Sequence, residues 1–437
     1  IISDRWKKST QGQTVFRAVR TLCRSRPRPT RSMPLFDSLA FGGEKNAVVL
    51  DIGAAYTKCG FAGENGPRCI VASEVRRPKT GEVVLLRDYM DKDELHGVLV
   101  DFVHVMYFRH LLVNPKERRV VIVESVLCPS HFRNTLGKVL FQHFEVPSVL
   151  FAPSHLVTLM TLGIPSGLVI DAGYSETFLL PIYEGIPVLK AWQAIPLGGK
   201  AIHRQLEKVL METGKVKTVE KDGQPLSEIV ESIDESILED IKVRCCFVTN
   251  LSRAQSIQAA RTKEGDQSNQ IPDPPPGVDY PLDGAKILHI DGKVREHTCE
   301  ILFEQDSEEV SVATLILDAL LKCPVDCRKA LAENIVLIGG TAMLTGFKHR
   351  LMTEVKDLLN RPQYAGRLAF KEIKLHSLPA KENYAAWLGG SIFGALEVLG
   401  SRSLAKDAYL QSKTIPDWST IQDLVEIVDD KPINQKR

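Results

Sequence analysis

Two stretches of this chain join a carboxylate to a glycine turn in a way that suits phosphate chemistry. The first, VVLDIGAAYTKCGFAG (48–63), runs an apolar segment into Asp51 and Gly53 and places Lys58 after the turn. The second, GLVIDAGYSETFLLPIYEG (167–185), repeats that order with Asp171 and Gly173. A strand, Asp, Gly, turn, strand unit can wrap phosphate with successive backbone N–H groups, while its carboxylate orders water around Mg²⁺, an ion that keeps several waters. Asp51, Gly53, Lys58, Asp171 and Gly173 are therefore candidate phosphate and Mg²⁺ residues, with Asp51 and Asp171 reaching the metal through water. One such turn alone is ordinary chain punctuation. Its repetition adds weight, and so does a third element, NIVLIGGTAMLTGFKHRL (334–351), in which Gly339, Gly340 and Thr341 follow an apolar run and allow a flat ligand to lie against backbone. The first turn has an oddity: Ala54, Ala55 and Tyr56 offer no aliphatic hydroxyl to a phosphate.

The elements that must carry these residues alternate. Strand-like runs fall at 47–52, 119–127, 167–171, 177–182, 298–303 and 334–338, and helix-like stretches such as PSHFRNTLGKVLFQHF (129–144) and SVATLILDALLKC (311–323) lie between them. That is the signature of an α/β protein. A Rossmann or P-loop site would place a helix after its glycine turn. Here the turns lead into KCGFAG and TFLLPIYEG, which read as strands, so both turns are expected to close hairpins. Two polar segments, 213–236 and 264–284, read as surface insertions or loops, and Trp418 is expected to dock the C-terminal stretch.

Composition narrows the function classes. The chain has 437 residues and is 44% hydrophobic, enough for more than one core, with a length prior of two or three domains. No apolar run reaches the eighteen residues of a membrane span, so direct membrane insertion is not expected. Residues 1–32 carry nine Lys or Arg against the single acid Asp4; the remainder holds 46 basic and 53 acidic residues, a net charge of −7 against +1 for the whole chain. A presequence is one reading of such a start. The preferred one is that 1–32 is a disordered or non-native basic leader, since Met33 opens a segment that reads like a natural start. The acidic remainder argues against nucleic acid as a partner. The nine cysteines form no C-x-x-C pair, and buried free thiols are expected.

KCGFAGENGPR, LPIYEG, LGGKAIH, IGGTAMLTGF and NYAAWLGGSIFGAL, in that order, resemble the actin superfamily, which is similar in fold to the sugar kinases and heat shock chaperones. The resemblance covers 45–415 and implies two similar α/β halves flanking a nucleotide cleft. It assigns 33–165 to a first half with a shortened outer subdomain and 166–390 to a second half with insertions near 213–236 and 264–284. Residues 391–437 return to the first half and end in a tail. It implies ATP or ADP with Mg²⁺ as cofactor, the two hairpins clamping its phosphates, and it places Lys242, Gly339, Gly340, Thr341 and Met343 at the adenosine.

Carried over residue by residue, the resemblance also shows losses. Ala54 stands where the family keeps a phosphate-sensing serine, Ser154 where it keeps the glutamine that orients the attacking water, and Phe178 where it keeps a histidine. Tyr174 and Ser175 replace an Asp-Gly, Val243 a ribose-binding glutamate, and Asn383 a lysine. Hydrolysis needs a water held in line with the terminal phosphate. No catalytic residue is assigned, and the expectation is a nucleotide held as a structural bridge without turnover, with an empty or closed cleft as the alternative. Stretches such as NPKERRVVIVESVLCPSHFR, PPPGVDYPLDG and IPDW are similar to the actin-related branch at the pointed end of dynactin's filament. That implies a cytoplasmic, cytoskeletal subunit with the filament and pointed-end subunits of dynactin as partners and dynein only indirectly. The segment from Arg68 to Glu124 is shorter than in actin, where it includes the loop that engages the pointed-end neighbour, which suits a subunit that ends a filament. The alternatives are a polymerising actin-like ATPase and an actin relative of nuclear chromatin complexes; the folded part lacks a basic import cluster that would favour the latter.

Overall fold

The computed structural model describes residues 45–416, apart from 78–80, 88, 90, 219–222, 263–271, 306–308, 369 and 371. The basic leader and the stretch around Trp418 lie outside the described residues. The described chain falls into two compact units, one of 45–158 and 386–416, the other of 159–385.

In the first unit, β1 (Val48–Ile52) pairs antiparallel with β2 (Tyr56–Phe61), and β2 with β3 (Cys69–Ala72). The two-stranded ladder of β4 (Glu74–Arg76) and β5 (Val83–Leu85) follows, then the helix Lys92–Val105, capped by the Asp91 carboxylate, which accepts the Asp93 and Glu94 N–H groups. This is how the short Arg68–Glu124 segment is built. On the other side of β1 lie β6 (Val120–Glu124) and β7 (Ser148–Pro153), both parallel, with the short strand Leu404–Ala405 antiparallel on β7. β1 and β6 are apolar because both faces are covered. The helix Ala385–Gly394 lies close on one face: a Cβ on Gly390 would sit 2.4 Å from Val123 Cγ2, and one on Gly394 2.9 Å from Ala62 Cβ. Trp387, fully buried, donates its indole N–H to the Val49 carbonyl at 3.1 Å. The expected helix at 129–144 is α-helical over Ser130–Lys138 and then widens into a π turn.

The second unit repeats the first. β8 (Gly167–Ala172) and β9 (Thr177–Tyr183) form an antiparallel hairpin, extended on β9 by β10 (Ile186–Pro187) and β11 (Gln193–Ile195). A small sheet of β12 (Lys215–Lys217), β13 (Gln224–Pro225), β14 (Val278–Asp283) and β15 (Lys286–Ile290) stands apart, and β16 (Ile335–Ile338) runs parallel to β8. The hairpins match in register: Asp51 faces Lys58 and Ile52 faces Thr57, while Asp171 faces Phe178 and Ala172 faces Thr177. Each aspartate strand also has a parallel neighbour, Val123 beside Asp51 and Ile338 beside Asp171. The internal echo read in the sequence is thus a structural repeat.

Two local expectations are corrected. The run 298–303 is not a strand; Thr298–Leu302 is a 3₁₀ turn continuing the short helix Gly292–His297. The polar segments at 213–236 and 264–284 are not simply loops, since they supply β12, β13 and β14, anchored by the fully buried Val216 and Leu226. Residues 264–271 lie outside the described residues. Among the described residues no helix is long and apolar enough to cross a membrane.

Candidate functional site

In the first unit the turn after β1 is closed by the Gly53 N–H donating to the Tyr56 carbonyl at 3.2 Å. A Cβ on Gly53 would lie 2.6 Å from that oxygen, which is why the position needs glycine. The turn is fastened from outside by Ser73, whose hydroxyl donates to the Gly53 carbonyl at 2.7 Å and whose N–H reaches the Ala55 carbonyl at 2.8 Å. Lys58 Nζ lies 3.2 Å from Asp51 Oδ2, and both side chains are mostly buried. Ala54 and Ala55 line the turn, and the Tyr56 ring is turned partly outward. Ser154, at the start of the helix Ser154–Leu162, is buried with its hydroxyl 3.0 Å from His155 Nδ1. Its oxygen is engaged within its own helix.

In the second unit Gly173 N–H donates to the Glu176 carbonyl at 3.0 Å, the same closure three residues on. The Gly173 carbonyl then gathers two more elements: it accepts the Thr341 hydroxyl at 2.7 Å and the Gly199 N–H at 3.1 Å. Gly339 holds φ +98°, and a Cβ there would lie 2.2 Å from the Ala172 carbonyl oxygen and 2.6 Å from Asp171 Oδ1. Its N–H donates to the Glu382 carbonyl at 2.9 Å. So β8, β16 and the start of the helix Gly199–Thr213 converge on Asp171 and Gly173 through backbone contacts that exclude side chains. Gly340 is different: its backbone is right-handed and a Cβ would meet nothing within 4 Å.

Around Gly199 the structure collects residues that sequence reasoning treated separately. A Cβ there would lie 3.0 Å from the Tyr174 ring, 3.5 Å from Lys242 Nζ and 3.6 Å from the Thr341 hydroxyl. Lys242 is buried and pairs with Glu239 at 2.5 Å. Buried His203 reaches Glu239 at 3.0 Å and contacts Glu235, which also accepts the Tyr174 hydroxyl. Burial alone would raise the Glu239 carboxyl, but His203 and Lys242 outweigh it and hold that carboxyl down at about 2. The Tyr174 hydroxyl is pushed up, by burial and by its acceptor Glu235. Tyr174, a substitution in the second hairpin, is therefore wired through two glutamates and a histidine to Lys242. His203, Glu235 and Glu239 carried no recognisable motif.

The candidate residues form two groups. Asp51, Gly53 and Lys58 share one hairpin; Asp171, Gly173, Lys242, Gly339 and Thr341 lie together in the other unit. Gly340 follows Gly339, and Met343 is partly exposed on the 3₁₀ turn Thr341–Met343. Val243 points outward, 64% exposed, while Phe178 is buried in the core with its ring 5.9 Å from that of Trp192. Asn383 Oδ1 is buried without a hydrogen-bond partner among the described residues, directly after the residue that binds the Gly339 N–H. An open face at Gly340 and an unsatisfied acceptor beside Gly339 suit a base with an exocyclic donor, whereas the Gly53 and Gly173 N–H groups are spent on closing their own turns. Among the described residues no three His, Cys, Asp or Glu converge as a metal site, and a water-coordinated Mg²⁺ does not require it.

The family model for actin matches residues 42–413. The chain belongs to the actin family. It is 29% identical, over 453 aligned positions covering 87% of this chain and 90% of the relative, to Actin-related protein 10 of Dictyostelium discoideum. This actin-family chain therefore resembles an actin-related protein over nearly its whole length.

Proposed function

We propose that this actin-related protein is a non-catalytic structural subunit of dynactin that holds an adenine nucleotide with Mg²⁺ and caps the pointed end of the complex's actin-related filament. One observation carries the nucleotide part of the reading. Both hairpins keep their glycine closures, yet the groups that would sense or activate at the terminal phosphate are missing or engaged elsewhere: Ala54 has no hydroxyl, Ser154 is bonded to His155, and Phe178 is core. Asp51, Gly53, Lys58, Asp171 and Gly173 would hold the phosphates and the hydrated ion, and Lys242, Gly339, Gly340, Thr341 and Met343 the adenosine. The bound nucleotide supplies charge and contacts that stabilise the native state by mass action, about 2.7 kcal/mol at a hundred times its dissociation constant. Membership of dynactin, a cytoplasmic and cytoskeletal setting and support of dynein-driven transport rest on the likeness of 114–133, 274–284 and 415–418 to that branch of the family. Capping is supported by the short Arg68–Glu124 segment, because a subunit lacking one of two heterologous surfaces ends a polymer.

The test has two arms. Purified protein, denatured and extracted, should yield adenine nucleotide, and the native protein given ATP should release no phosphate at steady state. Sustained turnover would overturn the reading in favour of a polymerising ATPase. In the second arm the protein should stop elongation of actin-related filaments at one end only; incorporation along their length would refute capping.

A further inference from the structure

Two of the cysteines stand directly opposite each other. The ladder between β2 and β3 pairs Cys59 with Cys69, and their sulfurs are 2.8 Å apart. Opposed residues of an antiparallel ladder have Cα separations of about 4.5–5.5 Å, within the range of about 4.4–6.8 Å that a disulfide spans, so no backbone movement is needed to join them. Cys59 is fully buried, whereas Cys69 is partly exposed on β3, the edge strand of its sheet. Cys323 and Cys327 also share a thiol–thiol hydrogen bond, but both are buried, so neither offers an exposed sulfur as Cys69 does; Cys245, Cys246 and Cys299 are buried as well, and Cys128 stands beside an arginine.

We propose that Cys59 and Cys69 form an oxidisable dithiol, a modification site at which a hydroperoxide closes a cross-strand disulfide between β2 and β3. The two thiols share a hydrogen bond that lowers the Cys69 pKa and, with burial, pushes Cys59 up, and Cys69 is also the sulfur that solvent reaches. Cys69 is thus the attacking thiolate. Its sulfur attacks one peroxide oxygen, the O–O bond breaks, and the other oxygen leaves as water or alcohol, giving a sulfenic acid. Cys59 sulfur then attacks Cys69 sulfur, the S–O bond breaks, and water leaves with the Cys59 proton. Two thiols lose two electrons and the peroxide gains them. The cross-link would fix β3, whose following residue Ser73 fastens the Gly53–Tyr56 turn, so oxidation at this edge reaches the phosphate hairpin.

Trypsin makes the bond easy to read, because cleavage after Lys58, Arg68 and Arg76 places the two cysteines in separate peptides, Cys59–Arg68 and Cys69–Arg76. The full chain, reduced and then exposed to a few equivalents of hydrogen peroxide, should yield these peptides joined, at a rate about tenfold or more above that of the urea-unfolded chain. Recovery of the two peptides singly, alkylated or over-oxidised, while other cysteines are consumed, would overturn the proposal. Cys59→Ser removes the resolving thiol, and dimedone should then label Cys69; label on other cysteines with Cys69 unmodified would overturn Cys69 as the attacking group.

Discussion

Gly339 and Gly340 are neighbours with opposite demands, which makes them a sharp test of the site's construction. At Gly339 an alanine meets two costs. Its backbone, at φ +98°, lies outside the region L residues favour, which costs roughly 1–2 kcal/mol. Its Cβ would be 2.2 Å from the Ala172 carbonyl oxygen and 2.6 Å from Asp171 Oδ1, and forced overpacking of this kind costs about 1–3 kcal/mol because the carbonyl is part of β8 and cannot swing aside. The stiffer unfolded chain returns about 0.4–1 kcal/mol. The net loss for Gly339→Ala is about 3 kcal/mol, more than a hundredfold in the folded-to-unfolded ratio. Gly340→Ala meets nothing within 4 Å, in a backbone at φ −68° and ψ −36° that alanine adopts freely, so its unfolding midpoint should match or slightly exceed that of the parent.

The assay is urea unfolding followed by fluorescence, with nucleotide affinity measured on the same preparations by a fluorescent adenine analogue. If the open face of Gly340 receives a flat base, Gly340→Ala weakens that affinity about tenfold, a loss near 1.4 kcal/mol, with no change in the midpoint. Gly339→Ala within 1 kcal/mol of the parent would refute the claim that β8, β16 and Asp171 are held together by side-chain exclusion. Unchanged affinity in Gly340→Ala would refute the placement of the adenosine.

Three further outcomes follow from the same geometry. Lys242→Met leaves the partly buried Glu239 beside His203 without its ammonium and should destabilise the protein by about 1–3 kcal/mol at pH 7. Because the Glu239 carboxyl is held at about 2, its contribution is present above its ordinary pKa of 4.5 and fades as pH falls towards 2, so the gap between parent and variant should narrow on acidification in a melting series. Glu300 has the opposite sign: burial pushes its carboxyl up to about 7 against the pull of Arg350, whose Nη1 lies 3.0 Å away and whose Nε serves Glu354 at 2.7 Å. One guanidinium facing two buried carboxylates favours a retained proton, so stability should fall by up to about 3 kcal/mol between pH 4.5 and 7.5, and Glu300→Gln should flatten most of that slope. Restoring a hydroxyl by Ala54→Ser should leave the melting temperature unchanged, whereas Phe178→His buries an imidazole in the core and should cost about 2–4 kcal/mol; combined with Ser154→Gln, phosphate release above the parent would support the assigned positions.

What the sequence made legible and what it hid divide along a physical line. The hairpins could be read because an apolar run, Asp, Gly and a second apolar run leave few other folds, and the repeat confirmed each copy with the other. The 298–303 run misled because a short apolar segment fits a buried strand and a buried helical turn equally well, and only the packing of the helix Gly292–His297 decides. β12 was hidden by its shortness, a single buried Val216 between two lysines. The polar network was illegible for a different reason: Tyr174 meets Glu235 across 61 positions and His203 meets the same carboxylate across 32, and no local pattern records such pairings. That network changes how the substituted hairpin is understood. Read residue by residue, Tyr174 is a loss from a phosphate turn. In the fold it is a gain, since its ring covers Gly199, its hydroxyl engages Glu235, and the chain continues through His203 and Glu239 to Lys242, on the adenosine side of the proposed site. The side chains of the turn now secure that arrangement, while the Gly53 and Gly173 N–H groups repeat one backbone closure in both hairpins. Retention of the two glycine closures and replacement of the side chains around them are therefore compatible, because they draw on different atoms.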